Sequence, residues 1–511
     1  MKMTVFAAID IGSYEVGMKI YEISIKNGMR EIDYIRRRIE LGKEAFADGR
    51  ISPQKVDELC RILTEFAVIM KGYRTDASRV CATSALRESE NLLIILDQIR
   101  VRTGFAVEIL SNSEQRFLGY KSIASKGNEF NKIIQKGIAI VDIGGGSTQI
   151  SLFDKDSLVT TQNIRLGTLR MRQKLSSIID KTTRFEEIVE ELVNREIYDF
   201  KKLFLKDREI KNIIAVSDYI KNMVRKANEG QNDSFVTREK YMEFFGKIRT
   251  MNSEQMSTYI GVPSEGASLI MTSAIVYKRL FEELNAELIW APGVNLDDGI
   301  AYDFAVGSGL IQTEHDFEND ILAAAKNIGK RYMYDKGHSQ MLEKLTTEIF
   351  DRMKKIHGLS KRERLLLQIA AILHDCGKYI SMSSVSDCSY NIIMSTEIIG
   401  ISHREREVVA NVVKYMREDF RYYEEINEKI DVETYLLIAK LTAILRTANA
   451  LDRSHKQKFK DIKVVLKEKQ LVITVDTIEN IDLESGLFNR KTDFFEEVYS
   501  MKPVIKQRKG I

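Results

Sequence analysis

Residues 139–153, AIVDIGGGSTQISLF, place an aspartate, three glycines and two hydroxyl side chains between two apolar segments. Successive glycines allow positive φ angles and a close approach of the chain to a ligand, and their N–H groups can form a concave anion site. Ser147 and Thr148 add hydroxyl donors. Asp142 has the wrong charge for a phosphate, so it requires Mg²⁺ or a water network between the two groups. The stretch predicts a phosphate site, and the alternative is a bare β-turn.

The opening of the chain repeats this pattern 132 residues earlier, because AAIDIGSYEVGMKIYEI at 7–23 aligns with residues 139–155 and places Asp10 on Asp142. Both copies read as a strand, Asp-Ile-Gly, a tight turn and a second strand, and the period is far too long for a solenoid. The repeat predicts a duplicated α/β domain whose two turns face each other across a cleft. The candidate phosphate-binding residues at these turns are Asp10, Gly12, Ser13, Gly144, Gly145, Gly146, Ser147 and Thr148.

A second set of polar residues lies in the last third of the chain. The apolar segment 362–373 indicates a buried helix that ends in His374-Asp375, and His338 lies 36 residues before His374. Together with Asp452, these residues offer two imidazoles and two carboxylates, which suit a divalent metal. A His-Asp pair on a helix is also commonly structural, so both interpretations stay open.

Length, charge and cysteine content limit the class of protein. A chain of 511 residues is too long for one ordinary core, so about two to four domains are expected. The 77 basic and 74 acidic side chains leave a net charge of +3, which predicts no general attraction to nucleic acid. The four cysteines lack metal-type spacing and indicate a reducing, cytoplasmic compartment. No apolar run reaches about 18 residues, so we expect neither a signal peptide nor a membrane partner.

The quoted turns and three further segments resemble the exopolyphosphatase/guanosine pentaphosphate phosphatase (Ppx/GppA) family. These segments are VCATSALRESEN at 80–91, EILSNSEQRFLGYKSI at 108–123 and IRLGTLRMRQ at 164–173. The resemblance implies an α/β fold with two duplicated actin-like (ASKHA, ribonuclease H-like) domains. The order of His338, His374-Asp375 and Asp452 is similar to that of HD phosphohydrolases, which implies an all-α HD-like domain with a small C-terminal α+β cap. The expected domains are 1–128, 129–312 and 313–511.

The same resemblance implies an activity and its cofactor. Members of the family hydrolyse the terminal phosphoanhydride of inorganic polyphosphate or guanosine pentaphosphate with Mg²⁺, and a homodimer is the implied assembly. Arg87 is implied to bind phosphate and Asp142 to bind the metal at the catalytic centre. A further divalent metal in the HD-like domain would be held by His338, His374, Asp375 and Asp452.

Two amides depart from the family pattern at the presumed catalytic centre. The family motif ends in glutamate where this chain has Gln149, and the family's base glutamate falls on Gln115. An amide cannot take a proton from water, and loss of a general base costs about 10²–10⁴ in rate. Two neutral amides also weaken a Mg²⁺ site. Glu114 and Glu15 are the candidate replacement bases, although adjacent helical residues point about 100° apart.

Three functional classes therefore stay open. The chain is a phosphoanhydride hydrolase with activity weakened at Gln115 and Gln149, a polyphosphate- or nucleotide-binding regulator derived from one, or an HD-domain phosphohydrolase. Cys388 and Met416 stand where HD relatives often have histidine, which argues against a second metal there. A structural HD-like domain that helps to bind ligand or to form a dimer is the remaining alternative.

Overall fold

The structure is a computed structural model, and it describes residues 3–154, 157–175, 178, 184–217, 219–231, 233–262, 266–313, 315–425, 430–459 and 461–508. The chain divides into two compact units, Met1–Asp316 and Phe317–Ile511. The first unit contains two α/β lobes, each built on its own sheet. The second unit is mainly helical and carries a three-stranded sheet.

The N-terminal lobe is built on a five-stranded mixed sheet. Its strands are β1 (Thr4–Ile11), β2 (Glu15–Ser24), β3 (Gly28–Arg38), β4 (Ala77–Ala82) and β5 (Val107–Ile109), and its helices are α1 (Leu41–Asp48), α2 (Pro53–Tyr73), α3 (Ser84–Arg87), α4 (Leu92–Thr103), α5 (Asn112–Ala124) and α6 (Asn128–Ile134). The order is β3-β2-β1-β4-β5, with the first three strands antiparallel and β1, β4 and β5 parallel. Alternate residues of β1 enter two separate cores, Ala7 and Ile9 in one and Phe6 and Ala8 in the other. Apolar side chains on both faces are expected where a sheet is covered on both sides.

The C-terminal lobe of the first unit repeats this arrangement. Its strands are β6 (Ile138–Ile143), β7 (Thr148–Asp154), β8 (Ser157–Ile164), β9 (Asn212–Val216), β10 (Phe235–Thr237) and β11 (Leu288–Trp290), and its helices are α7 (Thr168–Lys174), α8 (Phe185–Phe200), α9 (Ile220–Ala227), α10 (Arg238–Ile248), α11 (Ser253–Ile260) and α12 (Ala267–Leu284). The strand order is β10-β11-β9-β6-β7-β8. Strand β6 pairs antiparallel with β7 and parallel with β9, as β1 pairs with β2 and β4.

The duplicated actin-like architecture is confirmed, and the match extends to single hydrogen bonds. In the first turn the N–H of Gly12 donates to the carbonyl of Glu15 at 3.0 Å, and in the second the N–H of Gly144 donates to the carbonyl of Ser147 at 3.0 Å. These two pairs occupy equivalent positions of the 132-residue repeat. The same local sequence therefore closes the same turn twice.

A late helix, α13 (Leu296–Gly307), packs on the N-terminal sheet although it follows the C-terminal lobe in sequence. Its Ile300 and Ala301 share a buried cluster with Phe6, and the rings of Phe304 and Phe6 stack with centroids 4.0 Å apart. The contact with α5 is closer still, since a Cβ on Gly299 would lie 2.1 Å from the carbonyl oxygen of Leu118. These contacts with the N-terminal sheet and with α5 therefore fix the position of the first turn of α13.

The second unit joins a helical body to a small sheet. Its helices are α14 (Phe317–Arg331), α15 (Lys336–Arg352), α16 (Lys354–His357), α17 (Lys361–Leu373), α18 (Val385–Ser395), α19 (His403–Tyr415), α20 (Val432–Leu451) and α21 (Asp482–Tyr499), and its strands are β12 (Asp461–Lys467), β13 (Gln470–Asp476) and β14 (Lys502–Arg508). Strand β13 pairs antiparallel with β12 and parallel with β14. Within the ranges given above, no helix has both the length and the apolar character that a membrane crossing requires.

Candidate active site

The two Asp-Ile-Gly turns converge on one cleft of the first unit. The hydroxyls of Ser13 and Ser84 lie 2.8 Å apart, and a Cβ on Gly145 would lie 3.3 Å from the Cβ of Ser13. The turns of the two lobes therefore meet at van der Waals distance. The residues that line the cleft include Asp10, Gly12, Ser13, Tyr14, Glu15, Gly17, Tyr34, Ser84, Gln115, Asp142, Gly144, Gly145, Gly146, Ser147, Ser217 and Asp297.

Gly145 and Gly146 serve close packing between the lobes, and the expectation of positive φ angles in the two turns is wrong. None of Gly12, Gly144, Gly145 and Gly146 is among the positive-φ glycines of the described chain. A Cβ on Gly146 would instead lie 2.4 Å from the hydroxyl of Ser84, and one on Gly12 would lie 2.9 Å from the carbonyl of Glu15. The lobes approach each other too closely at Gly146 for a side chain.

Helix α7 ties the glycine turn to the N-terminal lobe. The Nε of Arg170 donates to the carbonyl of Gly146 at 2.8 Å, and its terminal nitrogen pairs with Glu88 at 2.7 Å. The guanidinium also lies over the ring of Phe46, 4.1 Å from its centroid. Because one side chain contacts both lobes, Arg170 holds the glycine turn in place from outside the cleft.

Carboxylates dominate the electrostatics of the cleft. Asp10, Glu15, Asp142 and Asp297 line it, and none of the described residues on its surface is Lys or Arg. Asp297 is only 2% exposed. Burial, and then the nearby charge of Asp10, raise the pKa of Asp297 well above its usual range. Carboxylate oxygens crowded in this way are suitable ligands for a hard divalent cation such as Mg²⁺, whose charge would offset their mutual repulsion.

The two amides that replace family glutamates lie at different depths. Gln115 lines the cleft, and its Oε1 is buried without a hydrogen-bond partner among the residues described. Gln149 is 3% exposed and lies opposite Asp142 in the β6–β7 register. Neither polar atom of the Gln149 amide has a partner within the described part of the chain. Gln115 is therefore placed to contact a ligand, whereas Gln149 lies beside the metal-binding candidate Asp142 and does not line the cleft.

Besides Gln149, three predicted site residues do not line the cleft. Glu114 forms a capping box with Ser111, whose N–H and hydroxyl donate to the Glu114 carboxylate at 2.9 and 2.7 Å. Arg87 donates to the carbonyl of Leu110 and to the side chain of Asn112, both at 2.6 Å. The Thr148 hydroxyl donates to the carbonyl of Leu166 at 2.7 Å. The Ser-x-x-Glu spacing already indicated the capping role of Glu114.

Asp297 is the cleft residue that sequence reasoning missed. It belongs to the segment PGVNLDDGIAYDF, which contains two adjacent aspartates. The second, Asp298, caps α13 in a capping box with Asn295 and pairs with Lys19 at 2.9 Å. The Asn-x-x-Asp spacing indicates that Asp298 caps the helix, and it gives Asp297 no structural role. This difference between the two aspartates is the signal in the sequence that could have identified Asp297 as a site residue.

The helical unit brings its predicted residues together. His338, His374, Asp375 and Asp452 are all buried. The Nδ1 of His338 lies 2.8 Å from Asp452, and the rings of His338 and His374 have centroids 5.0 Å apart. His455, which the sequence analysis did not single out, stacks on His338 at 3.5 Å and forms a group of potential metal-binding atoms with His338 and Asp375.

Cationic side chains pair with the central carboxylate of this arrangement, so a divalent metal would have to compete with them for Asp375. Lys378 and Arg417 donate to the two oxygens of Asp375. Burial opposes ionisation of Asp375, but His374, Arg417 and Lys378 outweigh burial and hold its pKa well below the usual range. Asp452 contacts His338 as an orienting partner and also accepts from the N–H of Gln457 at 2.9 Å. The ion pairs supply the positive charge that a metal would bring.

Similarity to proteins of known structure covers 60% of the chain in each of two matches. An exopolyphosphatase from Cytophaga hutchinsonii matches 60% of this chain and 98% of its own, with a TM-score of 0.53 and 15% identity. An exopolyphosphatase-like protein matches 60% of this chain and 98% of its own, with a TM-score of 0.52 and 22% identity. At these identities the similarity establishes the fold alone.

Similarity of sequence extends through both units. A guanosine-5′-triphosphate,3′-diphosphate pyrophosphatase of Aeromonas hydrophila subsp. hydrophila is 21% identical over 449 residues, which cover 87% of this chain and 86% of that protein. The sequence model of the Ppx/GppA phosphatase family matches residues 20–306, and that of Ppx/GppA phosphatase, domain III, matches residues 322–489. Since these matches leave only short stretches of the sequence uncovered, the chain belongs to the Ppx/GppA phosphatase family.

Proposed function

We propose that this protein releases the terminal phosphate of inorganic polyphosphate or guanosine pentaphosphate, and that its turnover is slow. The observation that carries the proposal is the convergence of the two turns on a cleft with four carboxylates and, among its described lining residues, no cationic side chain. A polyanion is repelled from such a surface unless a divalent cation accompanies it. The Aeromonas relative is named for pyrophosphatase action on a guanosine nucleotide, which supports this substrate class.

In this proposal Asp10 and Asp142 would hold Mg²⁺ from opposite lobes. The bound cation supplies charge neutralisation at the phosphoryl oxygens. The backbone of Gly145 and the hydroxyls of Ser13 and Ser147 line the same cleft and would position the terminal phosphate. Catalysis on this cleft is then chiefly positioning and electrostatic stabilisation.

The slow rate follows from the group that faces the cleft at the base position. Gln115 cannot accept a proton from water, and a missing general base costs about 10²–10⁴ in rate. Glu114 is held by the Ser111 cap, so it is not available as a substitute. Glu15 is the glutamate among the described lining residues of the cleft, so we assign residual proton transfer to it, although its ion pair with Arg36 at 3.3 Å makes it a weak base.

Phosphate release from both substrates with Mg²⁺ tests this proposal. The natural protein is compared with Gln115→Glu, with Gln115→Glu plus Gln149→Glu, and with Glu15→Gln. We expect release to rise at least about 10²-fold with the restored glutamates and to fall in Glu15→Gln. Glu114→Gln is the matched control, because it changes a carboxylate on the same helix outside the cleft. Fast release by the natural protein, or a large loss in Glu114→Gln, contradicts the assignment.

A second candidate is a regulator that binds the same ligands without hydrolysing them. The buried, uncharged Gln149 beside Asp142 favours it, because fewer carboxylates repel an anionic ligand less strongly. Calorimetric titration with polyphosphate distinguishes the two functions. Micromolar binding by the natural protein without release, together with release by the double glutamate variant, supports the regulator.

We further propose that the helical unit is an HD-like domain with a structural role. The pairing of Asp375 with Lys378 and Arg417 supports this proposal over an HD phosphohydrolase. The metal content of the purified full chain tests it. A stoichiometric transition metal that is lost in His338→Ala would overturn it.

We also propose that the protein is a homodimer and that it is located in the cytoplasm. Tyr379, Ile380 and Met382 expose 60%, 61% and 78% of their surfaces in the helical unit, and such neighbouring apolar side chains support an assembly contact there. The four cysteines are all unpaired, which supports a reducing compartment. Sedimentation analysis of the full chain measures the assembly, and a monomer at micromolar concentration would contradict the homodimer.

A further inference from the structure

Asp297 combines burial with an unsatisfied oxygen at the cleft. It is 2% exposed, it lines the cleft, and its Oδ1 has no hydrogen-bond partner within the described part of the chain. Its neighbour Asp298 shows the opposite behaviour, because it accepts from Lys19, from the Tyr21 hydroxyl and from the N–H of Asn295. Buried carboxylates are normally paired or bound to a metal. Asp297 lacks the pairing that Asp298 has.

A glycine on β2 brings Asp297 close to the first turn. Gly17 is the cross-strand neighbour of Asp10 in the β1–β2 register. A Cβ on Gly17 would lie 3.1 Å from the Oδ2 of Asp297, so the carboxylate rests against bare backbone beside Asp10. Any side chain at residue 17 would push Asp297 away from the strand. The result is a pair of acids, 287 residues apart in sequence, that face the same cleft.

The described surroundings offer Asp297 little charge compensation. Lys19 is the nearby cation that lowers the energy of an ionised Asp297, but its Nζ is already bound to Asp298 at 2.9 Å and to Glu31 at 3.0 Å. Asp10, Glu15 and Asp298 all oppose ionisation of Asp297. A divalent cation in the cleft is the species that would satisfy Asp297 together with Asp10.

We propose that Asp297 is a divalent-cation ligand of the cleft, contributed by α13 and acting with Asp10. This inference rests on the cation of the proposed function and adds a ligand from the N-terminal lobe. It also explains how a chain with a neutral amide at Gln149 keeps a carboxylate-rich cation site. Asp297 supplies a negative charge at the cleft, whereas Gln149, which lies beside Asp142, is neutral.

Manganese binding to the full chain without substrate tests the inference. The concentration of free Mn²⁺ is followed by electron paramagnetic resonance for the natural protein and for Asp297→Asn. We expect the dissociation constant to rise at least about tenfold in Asp297→Asn, because a direct ligand loses its charge. The midpoint of thermal unfolding without divalent ions should stay equal or rise, because a repelling carboxylate is removed.

Asp298→Asn is the matched control on the same helical turn. It should lower the unfolding midpoint and leave the Mn²⁺ dissociation constant within about twofold, since Asp298 serves the cap and Lys19. If Asp298→Asn does not fold, Asp154→Asn provides the exposed control carboxylate. An unchanged Mn²⁺ affinity in Asp297→Asn, or no Mn²⁺ binding by the natural protein at millimolar concentration, overturns the inference. Weakened Mn²⁺ binding in Asp297→Asn with no phosphate release by any variant leaves the inference standing and refutes only the proposed hydrolysis.

Discussion

Removing the charge of Asp298 should destabilise the first unit strongly. Asp298 is 8% exposed and accepts from Lys19 at 2.9 Å, from the Tyr21 hydroxyl at 2.9 Å and from the N–H of Asn295 at 2.8 Å. Lys19 is itself buried, and the charges of Asp298 and Glu31 outweigh burial to raise its pKa. The perturbation Asp298→Asn therefore leaves a buried ammonium without its main counter-charge.

The size of the effect follows from what remains around Lys19. Removing one partner of a buried ion pair costs about 3–5 kcal/mol. Glu31 lies 3.0 Å from the Lys19 ammonium, but its side chain is 44% exposed, so it compensates only in part. The asparagine oxygen still accepts one hydrogen bond. We therefore expect a loss near the lower end of that range, about 3 kcal/mol.

Urea unfolding followed by tryptophan fluorescence measures this loss. The chain contains one tryptophan, Trp290, which is 1% exposed in the same compact unit as Asp298. The single variants Asp298→Asn and Lys19→Met are compared with the double variant in a mutant cycle. The double variant should recover much of the lost stability, because replacing both members of a buried pair is often nearly neutral.

A mutant cycle without coupling would contradict the dependence of Lys19 on Asp298. A loss below about 1 kcal/mol in Asp298→Asn, or a double variant as unstable as the sum of the singles, would show that Lys19 does not depend on Asp298. In that case Asp298 would not have the structural role that distinguishes it from the proposed cation ligand Asp297.

Three further substitutions test packing and titration. Gln149→Met should leave the free energy of unfolding unchanged or raise it by up to about 3 kcal/mol, because no described protein atom pairs with the amide; a clear loss in urea unfolding would contradict this. Gly299→Ala should lower the free energy of unfolding by about 1–3 kcal/mol in the same assay, because its Cβ would lie 2.1 Å from the carbonyl oxygen of Leu118. Burial lowers the pKa of His357, so the unfolded state takes up the proton first as pH falls below about 6.5. Stability should then fall by up to about 1.4 kcal/mol per pH unit, and thermal unfolding between pH 7.5 and 5.5 should show this slope reduced in His357→Gln.

Much of the fold was predictable because its signals are local. The Asp-Ile-Gly repeat predicted two equivalent turns, and Gly12 and Gly144 make the same hydrogen bond in each. The family resemblance that rested on these turns is confirmed. The capping role of Glu114 was also encoded locally, in its spacing from Ser111. Its alignment with a family glutamate had instead made it a candidate catalytic base.

Other features depend on contacts that no local pattern encodes. Gly145 and Gly146 of the second turn lie against Ser13 and Ser84 of the other lobe, which leaves little room for a Cβ, and neither glycine has a positive φ angle. Lys378 and Arg417 neutralise Asp375 from positions 3 and 42 residues away, which the His-Asp motif alone does not reveal.

Residue types at fixed spacing identify the two turns, the amides at Gln115 and Gln149 and the family from the amino-acid sequence alone. The placement of Asp297 near Asp10 depends on the three-dimensional fold, because α13 must first pack on the N-terminal sheet and Gly17 must leave room for the carboxylate. Long-range packing sets which acids share a cleft, and that proximity governs their charge and their affinity for a cation.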